Sequence, residues 1–262
     1  MRYIRRYLTM ASLLASSHYS RKNGWTISCA GSRISLENAI DFLTIYDFFV
    51  DRHYAPLEQR ASFGSVLWDI GANLGAVSLM FARNPRIAHV YAYEPMPETF
   101  AYAVKSLALN PDISGKITLK KAGVSGNSGT QRIAYTRKVK CAIGTSEIPP
   151  RLISLGRVQA SDFKEIDIEL VDAVQELQAI RKKHLDSPIA LKLDAEGAEY
   201  AIIERLKLAG MLSEIQCAAI EWHGRPGPDF LLNHLYSAGF KANHQVLEAD
   251  GAIGMINAWR EA

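Results

Sequence analysis

Residues 65–94 constrain the fold of this chain more than any other stretch. Val66–Trp68 is a short apolar run, and the small-residue turn Gly71–Gly75 follows it closely. A helical pattern over Leu74–Arg83 then leads to a second apolar run at His89–Tyr93. Strand, tight turn, helix and strand in this order predict a βαβ unit. Such a unit is typical of parallel α/β sheets that bind a nucleoside.

The turn and its flanking residues suit a nucleoside. Gly71 and Gly75 let the backbone adopt unusual dihedral angles, and the next helix presents free N–H groups at its first turn. Glu94, 19 residues after Gly75, lies where a carboxylate accepts hydrogen bonds from ribose hydroxyls. Pro95 follows it, and the exit of the third predicted strand at Gly123 would border the adenine. We therefore expect these five residues to line a cofactor site.

Asn73 indicates which nucleoside the turn suits. Dinucleotide sites need a glycine at this position, because the backbone there approaches a pyrophosphate, and the pattern GxxxxGK[ST] of nucleotide triphosphate sites is absent. A phosphate-free adenosine ligand with an amino-acid end, held by Asp69 and Asn73, fits better. The sequence therefore favours S-adenosylmethionine as the cofactor. Two alternatives stay open: a nicotinamide-dependent oxidoreductase, and a non-catalytic nucleoside-binding or scaffold module.

Length and composition favour one large domain. The chain has 262 residues, of which 48% are hydrophobic, so it can bury a substantial core. We expect an N-terminal helical and strand extension over residues 1–60, and a Rossmann-like domain over residues 61–262. Helical spacing over residues 3–14 predicts an amphipathic helix that packs on the domain or on a second subunit, which makes a homo-oligomer a possible assembly. Association with an anionic membrane surface is the alternative.

Charge and cysteine content narrow the partners and the compartment. A net charge of +3, from 30 basic and 27 acidic residues, does not resemble a nucleic-acid footprint. No apolar run approaches the ~20 residues of a membrane span. Three cysteines (Cys29, Cys141 and Cys217) without metal-ligand spacing favour free thiols in a reducing compartment, so we expect a cytoplasmic protein.

The rest of the chain continues the α/β pattern. We expect strands at Trp25–Cys29, Ile117–Lys121, Ile189–Leu193, Ile215–Glu221, Gln245–Glu248 and Ala252–Trp259, and a hairpin over Thr130–Val139 beside the parallel core. We expect helices at Leu36–Val50 with Ser35 as its cap, and at Glu98–Leu109, Ile168–Leu185, Tyr200–Leu208 and Asp229–Ala238. Residues 145–157 read as a loop that acts as a lid or recognises a substrate.

Acidic residues and a histidine follow four of the predicted strands. Asp69, Glu94, Asp194 and the pair Glu221 and His223 all fall at carboxyl ends. Because ligands of open parallel sheets bind outside the carboxyl ends of the strands, these side chains should meet at one rim. This convergence is more informative than any single motif.

Four motifs together resemble the FkbM-type S-adenosylmethionine-dependent methyltransferases. They are DIGANLG at 69–75, YEP at 93–95, LKLDAEGAE at 191–199 and IEWH at 220–223, and the resemblance covers about residues 60–225. It implies a class I methyltransferase fold, an α/β seven-stranded, mostly parallel sheet with an antiparallel edge. It also implies methyl transfer to an oxygen, often a hydroxyl of a sugar or a secondary metabolite, so the expected partner is a small-molecule or glycan acceptor.

The chemistry of such a transfer fits the second group of residues. A sulfonium methyl is already activated, so positioning of the acceptor carries much of the rate, about 7–11 kcal/mol in well-oriented reactions. Proton uptake by a side chain adds roughly 10²–10⁴-fold. We expect Asp194 near the methyl group and His223 as the base, with Glu196 and Glu221 contacting the substrate. We expect no metal, although Asp194, Glu196 and His223 form an alternative divalent-cation set.

Structural roles are the alternatives for several of these side chains. Asp194 at a helix start suits an N-cap, and Glu196 and Glu199 suit the positive end of a helix dipole. Glu221 suits an ion pair with Lys192 or Arg225, and His223 suits a loop histidine whose ring nitrogens are already satisfied.

Overall fold

The computed structural model describes residues 16–21, 23–37, 39–49, 52–136, 159–248 and 250–261. In chain order the strands are β1 (Ser17–Ser20), β2 (Gly24–Cys29), β3 (Ser32–Leu36), β4 (Ser65–Ile70), β5 (Ile87–Tyr93), β6 (Ile117–Lys120), β7 (Gly123–Ser125), β8 (Gly129–Tyr135), β9 (Lys164–Asp172), β10 (Ile189–Leu193), β11 (Ile215–His223), β12 (Lys241–Val246) and β13 (Ile253–Trp259). The helices are α1 (Ala39–Phe49), α2 (Ala55–Arg60), α3 (Ala76–Arg83), α4 (Pro97–Ala108), α5 (Ala173–Lys183), α6 (Glu199–Leu208) and α7 (Pro228–Ser237).

The main sheet has seven strands in the order β12-β13-β11-β10-β4-β5-β6. The strands from β11 to β6 pair in parallel, and β13 runs antiparallel to both β11 and β12. The mixed pairing therefore lies at one edge, as the resemblance implies. This topology confirms the α/β class I methyltransferase fold. Strand order reverses between β4 and β10, which places a crevice at their carboxyl ends.

Continuous apolar runs explain why the central strands lie where they do. Every residue of β4 and β10 is buried, because helices cover both faces of a parallel sheet. On β4, Val66, Trp68 and Ile70 pack into a core with Leu177 and Ile203 from α5 and α6. On the opposite face, Leu67 packs with Val77 and Phe81 of α3. Packing into these two cores holds β4 and β10 in place, and with them the positions of the side chains at their carboxyl ends.

Two smaller sheets flank the main one. Strands β1, β2 and β3 form an antiparallel meander, and Ser35 N–H of β3 donates to Ser106 Oγ of α4 at 3.0 Å. In the third sheet, β9 lies between β7, with which it is parallel, and β8, with which it is antiparallel. The division into an extension before residue 61 and a domain after it stays a prediction.

Several predicted elements are wrong at their boundaries or partners. Residues 168–172 are strand, not helix, because the apolar residues of β9 alternate at 166, 168 and 170 and Asp172 then caps α5 by accepting from Val174 and Gln175 N–H. Strand β8 pairs with the distant β9. The strand predicted at Gln245–Glu248 is β12, which begins earlier, at Lys241. Ser35 lies inside β3 and does not cap α1.

Other predictions concern residues that lie wholly or partly outside the described ranges. The amphipathic helix at residues 3–14, the loop at 145–157 and Cys141 lie outside them, while Cys29 and Cys217 are free thiols. In the part of the chain that the structure describes, we find no helix with the length and apolar character of a membrane span. The compartment stays a prediction.

Candidate active site

A cavity of about 980 Å³ opens at the carboxyl ends of the central strands. Its size exceeds what a nucleoside needs, so it has room for a second ligand. It has a cofactor end, next to the turn after β4, and an acidic end, at the tips of β10 and β11. Of the residues expected at a site, the cavity is lined by Gly71, Asn73, Glu94, Pro95, Gly123, Asp194, Glu196, Glu221 and His223.

Gly71 makes the bend at the cofactor end possible. Its φ is +80°, and a Cβ atom there would lie 1.8 Å from the carbonyl oxygen of Asp194. Only glycine fits such a position without moving the backbone. The N–H groups of Gly71 and Ala72 both donate to Tyr93 O, at 3.0 and 2.8 Å, so the bend is fixed to the end of β5. Three strand ends therefore meet at one backbone turn.

Glu94 shapes the same end through backbone hydrogen bonds. Its carboxylate is almost fully buried and accepts from Asn73 N–H at 3.0 Å and Met96 N–H at 2.9 Å. Burial raises the pKa of Glu94 to about 7, against the lowering effect of these two bonds. Asn73 has a φ of +51°, which asparagine tolerates, and its Oδ1 is buried without a partner in the described ranges. A bound ligand or an ordered water usually satisfies such a buried acceptor.

Pro95 and Gly123 close the wall beside Glu94. A Cβ atom on Gly123 would lie 2.8 Å from Leu170 and 3.5 Å from Pro95, so a glycine is needed for this wall to pack. Gln131, Ile133 and Ile168 of the third sheet continue it, and β8 and β9 thus border the cavity as well. The sequence did not predict this contribution.

Asp69 and Gly75 do not line the cavity, contrary to expectation. Asp69 is fully buried beneath it and accepts a hydrogen bond of 2.5 Å from Ser78 Oγ of α3. Gly75 is the N-cap of α3 and packs on Ala103 and Leu107 of α4. Both residues therefore hold the helices next to the bend in place, through Ser78 for Asp69 and through Ala103 and Leu107 for Gly75.

Lys192 links the two ends of the cavity. Its Nζ is fully buried and donates to Gly71 O at 2.5 Å and Ile70 O at 3.2 Å. It also lies 3.4 Å from Asp69 Oδ1 and 3.5 Å from Asp194 Oδ2. Burial lowers the pKa of Lys192, but the charges of Asp194 and Asp69 outweigh it and raise the pKa overall. The sequence signal was a lone lysine in an otherwise apolar strand.

At the acidic end, three carboxylates surround one imidazole nitrogen. His223 Nε2 lies 3.7 Å from Glu196 Oε2, 3.8 Å from Glu221 Oε1 and 4.0 Å from Asp194 Oδ1. His223 Nδ1 lies 3.1 Å from Glu199 Oε1. Glu199 is fully buried and accepts from the N–H groups of Ala195 and Gly197 at 2.7 and 2.9 Å, so it is fixed in place.

These charges shift the pKa of each member of the cluster. Burial, followed by the Asp194 carboxylate, raises the pKa of Glu221 to about 8. Burial also raises the pKa of Glu196. Burial opposes the imidazolium of His223, but the Glu199 hydrogen bond and the nearby carboxylates raise its pKa to about 10. A protonated imidazole does not accept a proton, and this charge state opposes the base role that the sequence predicts for His223.

The alternative structural roles are also clarified. Helix α6 begins after Ala198, which is its N-cap and makes no side-chain cap, so Asp194 does not cap the helix. Glu199 uses its carboxylate to hold the turn at 195–197 together, rather than to face solvent at the helix end. Glu221 makes no ion pair with Lys192 or Arg225 among the described residues, and its charge faces the cavity.

Sequence reasoning missed several side chains that the fold brings to the cavity. Tyr54 does not line the cavity but is fully buried near it, and burial together with the charges of Asp194, Glu221 and Asp69 raises its pKa. The lining residues from before β4 include Phe48, Arg52 and His53, and those from the β12–β13 hairpin include Gln245, Glu248 and Asn257. No motif marks them, because long-range packing alone brings these segments to the rim.

Comparison with known proteins supplies a family. The sequence profile of the methyltransferase FkbM domain matches residues 69–242. Methyltransferase sdnD of Sordaria araneosa is 29% identical, and the match covers 52% of this chain and 58% of that protein. Hexuronic acid methyltransferase AglP of Haloferax volcanii is 24% identical, covering 66% and 62%, and 31-O-demethyl-FK506 methyltransferase FkbM of Streptomyces tacrolimicus is 25% identical, covering 66% and 72%. The chain thus spans about three fifths of the length of the first two relatives.

Proposed function

This chain belongs to the FkbM methyltransferase family, whose cofactor is S-adenosylmethionine, and we propose that it methylates a hydroxyl of a sugar or a secondary metabolite. The observation that carries the proposal is one cavity of about 980 Å³ that is lined by the bend at Gly71 and Asn73 and by the carboxylates of Asp194, Glu196 and Glu221. One relative is named for a hexuronic acid and another for 31-O-demethyl-FK506, so a sugar acid and an oxygen-bound methyl group both occur in the names of relatives. When bound, the cofactor supplies an activated methyl group on a sulfonium.

The cofactor end fits the adenosine and amino-acid parts of this molecule. Gly71 keeps the space beside Asp194 free of a side chain, and the unpartnered Oδ1 of Asn73 is an acceptor for an ammonium group. Each oxygen of Glu94 accepts one backbone hydrogen bond and retains a lone pair for a ribose hydroxyl. We propose that these residues, with Pro95 and Gly123 beside the adenine, hold the cofactor.

The acidic end suits the acceptor. We propose that Asp194 lies near the transferred methyl group, since it is at the tip of β10 and its backbone borders Gly71. Glu196 and Glu221 face the same space and are acceptors for the hydroxyl groups of a sugar.

We assign proton uptake to Glu221 and a positioning role to His223. Glu221 lines the cavity, and its nearest cationic atom among the described residues is His223 Nε2, at 3.8 Å. Its carboxylate form therefore has free lone pairs for the acceptor hydroxyl, and a pKa of about 8 leaves part of Glu221 in this form at neutral pH, whereas the pKa of His223, about 10, does not leave a free base. His223 is fixed by Glu199 and holds the carboxylates in place around it.

Transfer of a radiolabelled methyl group to a panel of sugars and hydroxylated metabolites, with matched amines as competitors, tests the reaction. We expect label in an ether of at least one acceptor. Glu221→Gln should lower kcat by about 10²–10⁴-fold with unchanged affinity for S-adenosylhomocysteine. Glu204→Gln, on the exposed face of α6, is the matched control and should retain wild-type kcat.

Three results would contradict the proposal. Label found only in amines would overturn the oxygen assignment. Turnover of NADH without methyl transfer would favour the oxidoreductase alternative, and binding of S-adenosylhomocysteine without any turnover across the panel would favour a non-catalytic module.

A further inference from the structure

The arrangement around His223 Nε2 has the form of a cation site. One ligand atom each from Asp194, Glu196 and His223 lies within 4.8 Å of the others. The distances from Nε2 to the two carboxylates, 4.0 and 3.7 Å, are too long for direct hydrogen bonds and leave a space between the three groups. The ligands come from the tip of β10, the turn after it and the tip of β11, all of which are built on buried strands.

The ring of His223 is oriented as a metal ligand. Its Nδ1 faces Glu199, and because that carboxylate already accepts two backbone N–H groups, Nδ1 carries the proton of this bond. Nε2 then faces Asp194 and Glu196, and a cation bound there would replace the proton on Nε2. Metal-binding histidines almost always donate the other ring N–H to a carboxylate or a carbonyl in this way. A fully buried glutamate in that position fixes the ring more firmly than a surface group would.

The two oxygens of Asp194 face different partners. Oδ2 lies 3.5 Å from Lys192 Nζ, whereas Oδ1 is the atom that faces His223. Lys192 is occupied by Asp69 and two backbone carbonyls on its own side. Glu196 has no partner of positive charge in the described ranges other than His223. Asp194, Glu196 and Glu221 therefore place three carboxylates around the single imidazole of His223, an excess of negative charge that a divalent cation would offset.

A buried hydroxyl lies beside this cluster. The hydroxyl of Tyr54 is fully buried near Asp194 and Glu221, and burial and its proximity to Asp194 raise its pKa, although none of its contacts in the described ranges has the full geometry of a hydrogen bond. A buried hydroxyl without a well-formed hydrogen bond is rare in native proteins, and a bound water or ligand usually explains it. A hydrated cation beside Asp194 would supply such a water.

We propose that Asp194, Glu196 and His223 bind one divalent cation of the Mg²⁺ or Mn²⁺ class, with Glu221 beside it. Two carboxylates and one imidazole suit Mn²⁺ in particular, since carboxylates favour hard cations and imidazole favours later metals. The inference rests on the proposed function, because the cation would lie where the acceptor hydroxyl enters and would hold that oxygen in place. All three residues line the cavity, so a bound cation would be accessible to a substrate there.

Titration of the chelator-treated full chain with Mn²⁺, followed by electron paramagnetic resonance, tests the site. We expect one saturable Mn²⁺ per chain, and binding at least about tenfold weaker in Glu196→Gln, whose side chain is partly exposed and whose shape is retained. Glu199→Gln should weaken binding about 10–100-fold by releasing the ring of His223. Asp186→Asn, an exposed acidic residue outside the cluster, is the matched control and should bind as the wild type does.

Calorimetry with S-adenosylhomocysteine on the same samples separates this inference from the proposed function. Every variant should retain cofactor affinity, which also shows that it folds. Absence of a saturable Mn²⁺ site in protein that binds S-adenosylhomocysteine would overturn the cation site alone. Equal Mn²⁺ affinity in the wild type, Glu196→Gln and Glu199→Gln would do the same, whereas loss of cofactor binding in the wild type would contradict the proposed function instead.

Discussion

At the cofactor end of the cavity backbone groups make the defining contacts, whereas at the acidic end side-chain charges face one another. Gly71 and Asn73 hold left-handed dihedral angles there, and the Glu94 carboxylate binds two N–H groups. At the acidic end the geometry depends on how Asp194 and His223 balance charge. The first end should therefore be sensitive to shape and the second to charge, and the variants below test this difference.

Replacement of the lysine between the two ends should have the largest effect. Lys192→Met leaves the buried carboxylates of Asp69 and Asp194 without their cation, so the free energy of unfolding should fall by about 3–5 kcal/mol in chemical denaturation. Lys182→Met, at an exposed position of α5, should change it by less than about 0.5 kcal/mol. Recovery of stability in the double variant with Asp69→Asn would support the charge account, and a loss below about 1 kcal/mol in Lys192→Met would refute it.

A methyl group on the bend should have the next largest effect. Gly71→Ala combines a φ of +80° with a contact of 1.8 Å to Asp194 O, so we expect a loss of about 2–4 kcal/mol and of measurable cofactor binding. Gly210→Ala, with a φ of +70° and no atom within 4 Å of the added carbon, separates the two causes. It should cost only about 1–2 kcal/mol. Equal losses in both variants would mean that the close approach to Asp194 is unimportant.

The pH dependence of stability should reveal the buried carboxylate at the cofactor end. The pKa of Glu94 is raised from 4.5 to about 7, so its protonated form is favoured by folding. The associated stability is present below pH 4.5 and lost as pH rises through 7, by about 2–3 kcal/mol. Glu94→Gln does not titrate, so the difference in unfolding free energy between it and the wild type should change over this window. A constant difference from pH 4 to pH 8 would contradict the shifted pKa.

Substitution of Asn73, whose side-chain oxygen has no partner in the described ranges, should have the smallest effect. Asn73→Gly keeps the left-handed angle and removes a buried oxygen that has no partner in the described ranges, so stability should change by less than about 0.5 kcal/mol. The affinity for S-adenosylhomocysteine should fall about 2–10-fold, because one hydrogen bond is lost. Calorimetry checks this, and unchanged affinity would remove Asn73 from the cofactor site.

The cofactor end could be predicted because its backbone geometry requires particular residues at fixed positions in a short stretch of sequence. A left-handed bend needs Gly71, and a ribose carboxylate recurs at a fixed spacing, so Gly71 and Glu94 were both expected at the cavity they line. The burial of Asp69 was not foreseen, since a residue at a strand end points to either side of the sheet. Its direction depends on Lys192 and Ser78, whose contacts only the folded chain brings together.

The sequence predicts which residues meet at the acidic end, but it does not predict their protonation states. Four strand tips were expected to converge, and the fold brings Glu94, Asp194 and His223 to one cavity. The protonation of His223 depends on Glu199, a residue expected to act on a helix dipole. The boundary between β9 and α5 was misjudged because Leu170 and Val174 fit helical spacing as well as the end of a strand.

Titration calorimetry of the full chain with S-adenosylhomocysteine, and separately with NADH, tests the central claim most directly. The account predicts saturable 1:1 binding of S-adenosylhomocysteine that weakens in Glu94→Ala, because the ribose acceptor and two backbone hydrogen bonds are lost together. It predicts no binding of NADH, since Asn73 stands where a pyrophosphate needs glycine. Saturable binding of NADH, or S-adenosylhomocysteine affinity that is the same in the wild type and Glu94→Ala, would contradict it.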